Sequence, residues 1–512
     1  MTAPPRKPPV KRLAKPSHDH PTMQLRLGKD GAGSLFRNAY MLMLNTAVSA
    51  VLGLAYWVIA ARYYTAEAVG EGSAAVAAMR FLAGLAATTL IGAVVRFIPR
   101  GGPHTRRLIL QTYGISCLVV GIGCAVFLLT LDVWGPNFAP LDGVWIGLGF
   151  TVGTLGWTVL SLQDGVLTGL REAVWVPLGN LVFSVGKLIL LIVLAAGMPV
   201  LGIFTSWSLA IALSVIPLGL LVLLRLAPRQ MRRTRARKPP ERREIGRFLL
   251  GDCTGSMFSL AMINLLPVIV ATQFSSEENA YFYVALTIGG TIEFLAINMA
   301  SSLTAEASYD PRRLADGIRG SLVRMGILLM PIGLVLVAGA DILLGVFGEG
   351  YAEGGATVLR LFALAAFPRV IVELYFGVLR VQGRTTQLAV LQGIMCTLVL
   401  GGSLALLPVV GIAGAGWGVL LGQVVVALLA APGMIAVVRE AHRAPPAPEL
   451  PEPKFDSSMT LTLRSPWSEV AAGTADDYGT GWARRAAYYR TIAEDEEEER
   501  ETSGQQPVLR TA

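Results

Sequence analysis

Long apolar segments separated by short polar connections make up most of the chain. Twelve of them are close to the roughly 20 residues that a helix needs to cross the hydrocarbon core of a bilayer. Backbone groups in lipid must be hydrogen-bonded within their own segment, so these segments predict membrane-spanning helices. They cover roughly residues 38–61, 70–95, 108–131, 142–165, 174–197, 199–224, 247–271, 279–303, 317–345, 353–379, 385–408 and 411–438.

Two short sequence motifs recur at nearly the same spacing. ARYYTAE at residues 61–67 follows the first segment, and ATQFSSE at 271–277 follows the seventh, 210 positions later. PVLGI at 199–203 and PVVGI at 408–412 lead into the sixth and twelfth segments, 209 positions apart. The common spacing predicts two copies of a six-helix unit. This architecture is typical of secondary transporters that bind their substrate between the repeats.

Basic residues alternate between the connections. The tail before the first segment and the second, fourth, sixth, eighth and tenth connections carry Lys and Arg, and the richest stretch is 225–243. The odd connections have almost none, and Arg62 at the end of the first segment is the exception. By the positive-inside rule, both termini and the even connections are predicted to be cytoplasmic, so the two halves are parallel repeats.

The composition is that of a membrane protein. Hydrophobic residues make up 53% of the chain and charged residues only 15%, against about a quarter in soluble proteins. Mean hydropathy is +0.56. The net charge of +8 comes mostly from the basic connections. Such connections usually determine topology and contact anionic lipid, so we predict no nucleic-acid partner.

Composition also divides the chain into five regions. Two polar tails, predicted to be disordered and cytoplasmic, flank the apolar segments. We predict no cleavable signal peptide, because the first apolar segment is too long for one. The regions are a basic tail at 1–34, an N-terminal six-helix lobe at 35–224, a basic linker at 225–245, a C-terminal six-helix lobe at 246–439 and a tail with an acidic end at 440–512.

Charged side chains inside membrane segments are costly and usually face a cavity or a partner. Arg80 in the second segment and Lys187 in the fifth have no acidic residue within one helical turn in the sequence. We predict that both bind an anionic group of the substrate, although a long lysine side chain can also reach the membrane surface. Arg360 and Arg369 in the tenth segment are second-rank candidates for the same role.

Three acidic residues are candidates for ion coupling or for balancing the basic charges. Glu293 lies in the eighth segment, Glu373 in the tenth and Asp252 in the seventh. Glu373 follows Arg369 by four residues, so the two share a helix face and are expected to pair. Such a pair either belongs to a binding cavity or only stabilises a helix interface.

The sequence carries no familiar catalytic motif. It contains no P-loop, GxSxG or HExxH pattern. The cysteines lie in apolar segments and lack the spacing of a zinc site. They are Cys117, Cys124, Cys253 and Cys396. We therefore predict a protein that is not an enzyme and that uses neither a cofactor nor a metal.

Several segments resemble a known transporter family. LFRNAY at residues 35–40, followed by ARYY at 61–64, resembles the first helix of polysaccharide and oligosaccharide flippases. These belong to the multidrug/oligosaccharidyl-lipid/polysaccharide exporter (MOP) superfamily. In the second half, five motifs are similar to flippase-like proteins of bacterial lipopolysaccharide biosynthesis. They are NAYFYVA at 279–285, LTAEAS at 303–308, YAEGG at 351–355, LRL at 359–361 and VLRVQGR at 378–384.

The resemblance covers roughly residues 33–438. It implies a V-shaped, MATE-like transporter of about 12 helices in the cytoplasmic membrane, which flips a polyprenyl-diphosphate-linked oligosaccharide by alternating access. The lipid bilayer, the lipid-linked oligosaccharide and other glycan-assembly proteins are the implied partners. Family members often carry an acid in the middle of the seventh helix, where this chain reads NLLP at 264–267.

Two alternatives stay open at this point. One is a cation-coupled multidrug exporter of the same superfamily, for which an acidic cavity is expected. The other is a membrane scaffold for a glycan-assembly complex, which the long tails favour.

Overall fold

The computed structural model describes residues 49–234, 246, 257–309 and 314–443, and all of them belong to one compact unit. Within these residues twelve helices lie in the twelve apolar segments, while residues 38–48 of the first segment and 247–256 of the seventh lie outside the described residues. They are α1 Ser49–Tyr63, α2 Ala66–Phe97, α3 Thr105–Leu129, α4 Val144–Gly169, α5 Trp175–Ala195, α6 Gly202–Arg232, α7 Met257–Gln273, α8 Ser276–Tyr309, α9 Leu314–Ala338, α10 Glu349–Val381, α11 Thr385–Val410 and α12 Ala413–Arg443.

Most of these helices have the length and composition of membrane spans. Eight of them, α2 to α6 and α10 to α12, are long and apolar enough to cross a bilayer. α1, α7 and part of α9 add shorter apolar stretches, and α8 is 34 residues long. The described residues contain no β-strand. The predicted fold class, an all-α polytopic membrane protein, is confirmed.

Helix boundaries repeat between the two sets of six helices. α2 begins at residue 66 and α8 at 276, while α5 and α11 begin at 175 and 385, so both pairs keep a 210-residue offset. This offset agrees with the spacing of the sequence motifs. We call α1 to α6 the N-half and α7 to α12 the C-half. Connections after odd-numbered helices form the odd-loop end, and those after even-numbered helices form the even-loop end.

Two local features depart from plain helices of the predicted length. The apolar pattern predicts one segment at 317–345, but α9 ends at Ala338 and a short helix, Ala340–Gly345, follows it. In α7, residues Ala261–Leu265 form a wider π turn just before Pro267. Proline lacks the N–H that would close a normal turn there, so the turn widens.

α2 lies at the centre of the packed core. It packs against α3, α4 and α6 of the N-half and against α7 and α8 of the C-half. Small residues let membrane helices approach closely, which is how such helices gain packing energy in lipid. The buried face of α2 is rich in alanine, including Ala74, Ala75, Ala77 and Ala78. α2 therefore forms a large part of the contact between the halves.

Candidate functional site

Lys187 projects from α5 into a cage of aromatic rings in the N-half. Only 6% of its surface is exposed. Its Nζ lies 4.4 Å from the ring centre of Trp207 and 5.0 Å from the ring centres of Tyr56 and Phe183. Aromatic faces stabilise a desolvated cation by about 2 kcal/mol or more. Among the described residues no carboxylate pairs with this ammonium group.

Hydrogen bonds and ring contacts hold the cage together. The hydroxyl of Tyr56 in α1 donates to the Ile203 carbonyl at 3.1 Å and shares a 2.9 Å hydrogen bond with Ser206 Oγ. Trp207 of α6 lies edge-on to Tyr56 at 6.1 Å and contacts Trp157 of α4 at 5.4 Å. Four helices contribute to the cage, so it forms only when the N-half is packed.

Arg80 is the second basic side chain of this region. It is half-buried on α2, which begins at residue 66, so it lies about 21 Å along the helix axis from the odd-loop end. Its charge interacts with that of Lys187. No residue that the structure describes accepts a hydrogen bond from Arg80 or forms an ion pair with it. The two cations repel each other, and a bound anion would offset that repulsion.

Arg369 of α10 forms a buried ion cluster in the C-half. Its NH2 is 2.8 Å from Glu373 Oε1, which is the i,i+4 pair expected from the sequence, and its NH1 is 3.4 Å from Glu293 Oε1 of α8. Gln423 of α12 donates from Nε2 to the same Glu293 oxygen at 2.9 Å. The side chains of Arg369 and Glu373 are buried, whereas that of Glu293 is 29% exposed.

The ion cluster contains two carboxylates and one guanidinium. One negative charge is therefore left over unless a proton or a cation joins the cluster. A cavity of about 10 Å³ borders Glu293 and Gln423, which is room for about one water molecule. Glu293 borders this cavity, whereas Glu373 is buried beside Arg369. The geometry suits Glu293 for binding and releasing a small cation.

Arg360 has its own partner near the odd-loop end of α10. Its NH2 donates to Asp341 Oδ2 at 2.5 Å, and its Nε donates to the Val337 carbonyl at 3.2 Å. Both side chains of this pair are partly exposed, by 38% for Arg360 and 58% for Asp341. The charge of Arg360 is thus already balanced. Asp252 lies outside the described residues, so its role stays a prediction.

Hydrogen bonds that the sequence did not predict join the two halves at the odd-loop end. Asn279, fully buried in the first turn of α8, donates from Nδ2 to the Gly70 carbonyl at 2.8 Å and to Ser73 Oγ at 3.3 Å in α2. A Cβ on Gly70 would lie 1.6 Å from the Ser276 carbonyl oxygen. The close approach of α2 and α8 therefore requires glycine at position 70.

Two more side chains join the halves at the same end. Arg62 donates to the Val346 carbonyl from Nε at 3.0 Å and from NH2 at 2.6 Å. Asn137 donates from Nδ2 to the carbonyls of Ala271 at 2.8 Å and Phe274 at 2.7 Å. Arg62 was visible in the sequence as the exception to the alternation of charge. The partners of Arg62 and Asn137 are backbone carbonyls in the other half, and no local sequence pattern identifies such carbonyls.

The fold resembles those of known transporters. It matches an inward-facing multidrug resistance MATE family transporter of the MOP superfamily with a TM-score of 0.60 and 14% identity, over 77% of this chain and 96% of that one. It matches the lipid II flippase MurJ, in an inward closed conformation, with a TM-score of 0.58 and 10% identity over 78% and 90%. A MOP superfamily transporter from Pyrococcus furiosus matches with a TM-score of 0.52 and 14% identity over 79% and 95%.

The chain therefore has the MATE-like fold of these transporters, and eight of its described helices have the length and composition of membrane spans. The sequence matches no protein-family model and no curated protein. Fold likeness at this low identity does not determine a substrate, because one fold carries many functions. A substrate therefore has to be argued from side chains, and the N-half cage and the C-half ion cluster are the candidate sites.

Proposed function

We propose that this protein is a flippase that moves a polyprenyl-diphosphate-linked oligosaccharide across the cytoplasmic membrane, for the biosynthesis of lipopolysaccharide or another surface polysaccharide. The observation that carries the proposal is the neighbouring pair Arg80 and Lys187, which has no counter-charge among the described residues. A diphosphate has the complementary charge, and guanidinium groups bind phosphate oxygens in a bidentate manner. The motif resemblance supports the same substrate class.

The two cations have different roles in this proposal. Arg80 is half-buried and contacts the diphosphate directly. Lys187 is enclosed by rings and acts through its field, which attracts the diphosphate towards Arg80. Arg360 and Arg369 already pair with carboxylates, so they rank below the N-half pair. Arg369 becomes available to substrate only when one of its carboxylate partners is neutralised.

The ion cluster of the C-half is the proposed coupling element. Glu293 takes up a proton or another small cation at the cavity beside Gln423, and the cluster then has no net charge. Release of that cation restores the surplus negative charge. A membrane interior penalises net charge, so the two states favour different surroundings of the cluster. Binding on one side of the membrane and release on the other would thus drive the halves between two arrangements.

Contacts between the halves at one end support an alternating-access mechanism. In the predicted orientation the odd-loop end faces the outside, and Asn279, Arg62 and Asn137 hold the halves together there. These contacts favour a state in which the outward path is closed to the diphosphate. Transport therefore requires these hydrogen bonds to break while residues 35–224 rock against residues 246–439.

A cation-coupled multidrug exporter is the second candidate function. The surplus carboxylate beside Arg369 favours it, since an acidic site suits a cationic drug. The matched MATE family transporter is a multidrug resistance protein. Arg80 and Lys187, which no carboxylate that the structure describes balances, repel such drugs, and we therefore prefer the flippase. The scaffold alternative concerns the tail at 440–512, most of which lies outside the described residues.

The test is the lipid-linked intermediate itself. A deletion strain is complemented with the wild type, with Arg80→Ala or with Arg384→Ala, and polyprenyl-linked glycans are extracted and identified by mass spectrometry. Arg384 is an exposed arginine in the connection between α10 and α11, and it serves as the matched control. We expect one lipid-linked glycan to accumulate in the deletion and with Arg80→Ala, but not with Arg384→Ala, at equal protein levels.

Two results would overturn the proposal. One is an unchanged lipid profile in the deletion strain after other flippases have been removed. The other is full export by Arg80→Ala at a normal protein level, which would remove the residue that carries the argument. Expression in a host without its own exporters then tests the multidrug alternative, since expression should protect those cells against cationic drugs only under that function.

A further inference from the structure

A basic pocket lies on the outer side of the N-half at the even-loop end. It is an open cleft of about 480 Å³ between the start of α3 and the last turns of α6. α3 packs against α2, α4 and the end of α6, all from the N-half. The pocket is thus built separately from the caged Lys187 and from the ion cluster of the C-half. Its lining residues are Pro103, Arg106, Arg107, Leu110, Gln111 and Met231.

A glycine turn leads directly into the helix that carries the two arginines. Gly102 has a φ of +53°, which favours glycine, and Pro103 follows it at the turn before α3. Thr105 Oγ1 donates to the Gly102 carbonyl at 2.9 Å and braces this turn. Arg106 and Arg107 follow directly in the first turn of α3, and both are exposed. In the part of the chain that the structure describes, neither forms an ion pair.

An apolar stripe continues from the pocket along the same face of α3. Arg107 and Gln111 are four residues apart, and the next steps of four, three and four residues continue along that face. Those steps carry exposed apolar side chains that face neither half of the protein. They are Ile115, which is 56% exposed, Leu118, which is 65% exposed, and Ile122, which is 58% exposed.

We propose that this pocket binds the head group of an anionic phospholipid, with an acyl chain lying along the stripe. Two guanidinium groups that no described residue pairs suit a phosphodiester, which accepts their hydrogen bonds and offsets their charge. Ile115, Leu118 and Ile122 suit the hydrocarbon chain that follows the head group. A free phosphate would use the arginines alone and would gain nothing from the stripe. Basic pockets between helices on the cytoplasmic side are suited to anionic lipid, and the even-loop end is predicted to be cytoplasmic.

The test compares lipids on the purified, delipidated full-length protein in detergent. Phosphatidylglycerol, phosphatidylcholine and inorganic phosphate are titrated separately, and bound lipid is read by native mass spectrometry. We expect retention of phosphatidylglycerol by the wild type and about 30-fold weaker binding by Arg106→Ala/Arg107→Ala. Each arginine near an anionic lipid surface contributes about 1 kcal/mol of binding free energy. Loss of both therefore costs about 2 kcal/mol, which corresponds to about a 30-fold change in affinity.

The matched control removes the same number of charges elsewhere. Arg380→Ala/Arg384→Ala alters two exposed arginines beside another even connection and should leave phosphatidylglycerol binding unchanged. Equal loss in both double variants would mean general attraction without a site, and would overturn the proposal. Competition by inorganic phosphate as strong as by the lipid would mean a soluble anion site and would overturn it too. The lipid preference of the unmodified protein tests the proposal independently of any variant's folding.

Discussion

The most direct test of the C-half ion cluster is the replacement of Arg369 by methionine. This change removes the guanidinium that bonds Glu373 at 2.8 Å and Glu293 at 3.4 Å. The new side chain would lie beside Met262 and Met395, whose sulfurs contact Arg369 NH1 at 3.7 and 3.5 Å. Methionine adapts to irregular apolar space, so the dominant effect should be electrostatic rather than steric.

The expected magnitude follows from burial. Removing one partner of a buried ion pair leaves an uncompensated charge and typically costs about 3–5 kcal/mol. Glu373 would be that charge, because its side chain is only 5% exposed. Glu293 keeps the hydrogen bond from Gln423 and is partly exposed, so it should contribute less. We therefore expect Arg369→Met to lower the free energy of unfolding by about 3–5 kcal/mol.

The assay is equilibrium unfolding in mixed detergent micelles, with Arg360→Met as the control. The pair of Arg360 with Asp341 is partly exposed, and such pairs contribute about 0–1 kcal/mol. Arg369→Met/Glu373→Gln removes both charges and should recover most of the lost stability. A loss below about 1 kcal/mol for Arg369→Met, or a double variant no more stable than the single one, would refute a buried pair at this place.

Three further outcomes are expected. Asn279→Ala removes the hydrogen bonds to Gly70 and Ser73, which should lower the free energy of unfolding by about 1–3 kcal/mol. It should also increase labelling of a cysteine placed at Thr272 by a membrane-impermeant thiol reagent, and unchanged labelling would contradict closure by these bonds. Gly70→Ala should increase the same labelling more strongly, because the added methyl group pushes α2 away from α8, and labelling at the wild-type rate would contradict it. Lys187→Met should preserve or raise stability in the unfolding assay, since it removes a buried charge that no described carboxylate pairs, yet it should cause lipid-linked glycan to accumulate. Normal export by this variant would exclude the proposed role of Lys187.

The helices themselves were predictable from the sequence. Lipid offers no partner to backbone groups, so each apolar segment of membrane-spanning length has to form a helix whatever its neighbours do. The repeat was visible for the same reason, because the motifs at 61–67 and 271–277 mark the ends of corresponding helices. The pair of Arg369 with Glu373 was predictable as well, since one helical turn places both on one face.

Tertiary structure alone decided which distant residues meet. Glu293 reaches Arg369, and Arg80 lies near Lys187, only because particular faces of their helices turn towards each other. Asn279 could be placed at a helix start, but its partner is a carbonyl exposed by the close approach of α2 at Gly70. An apolar segment specifies its own length and backbone pairing, whereas its rotation about its axis depends on packing against its neighbours. The sequence alone therefore determined the twelve helices and their repeat, and the packed fold decided the composition of the candidate sites.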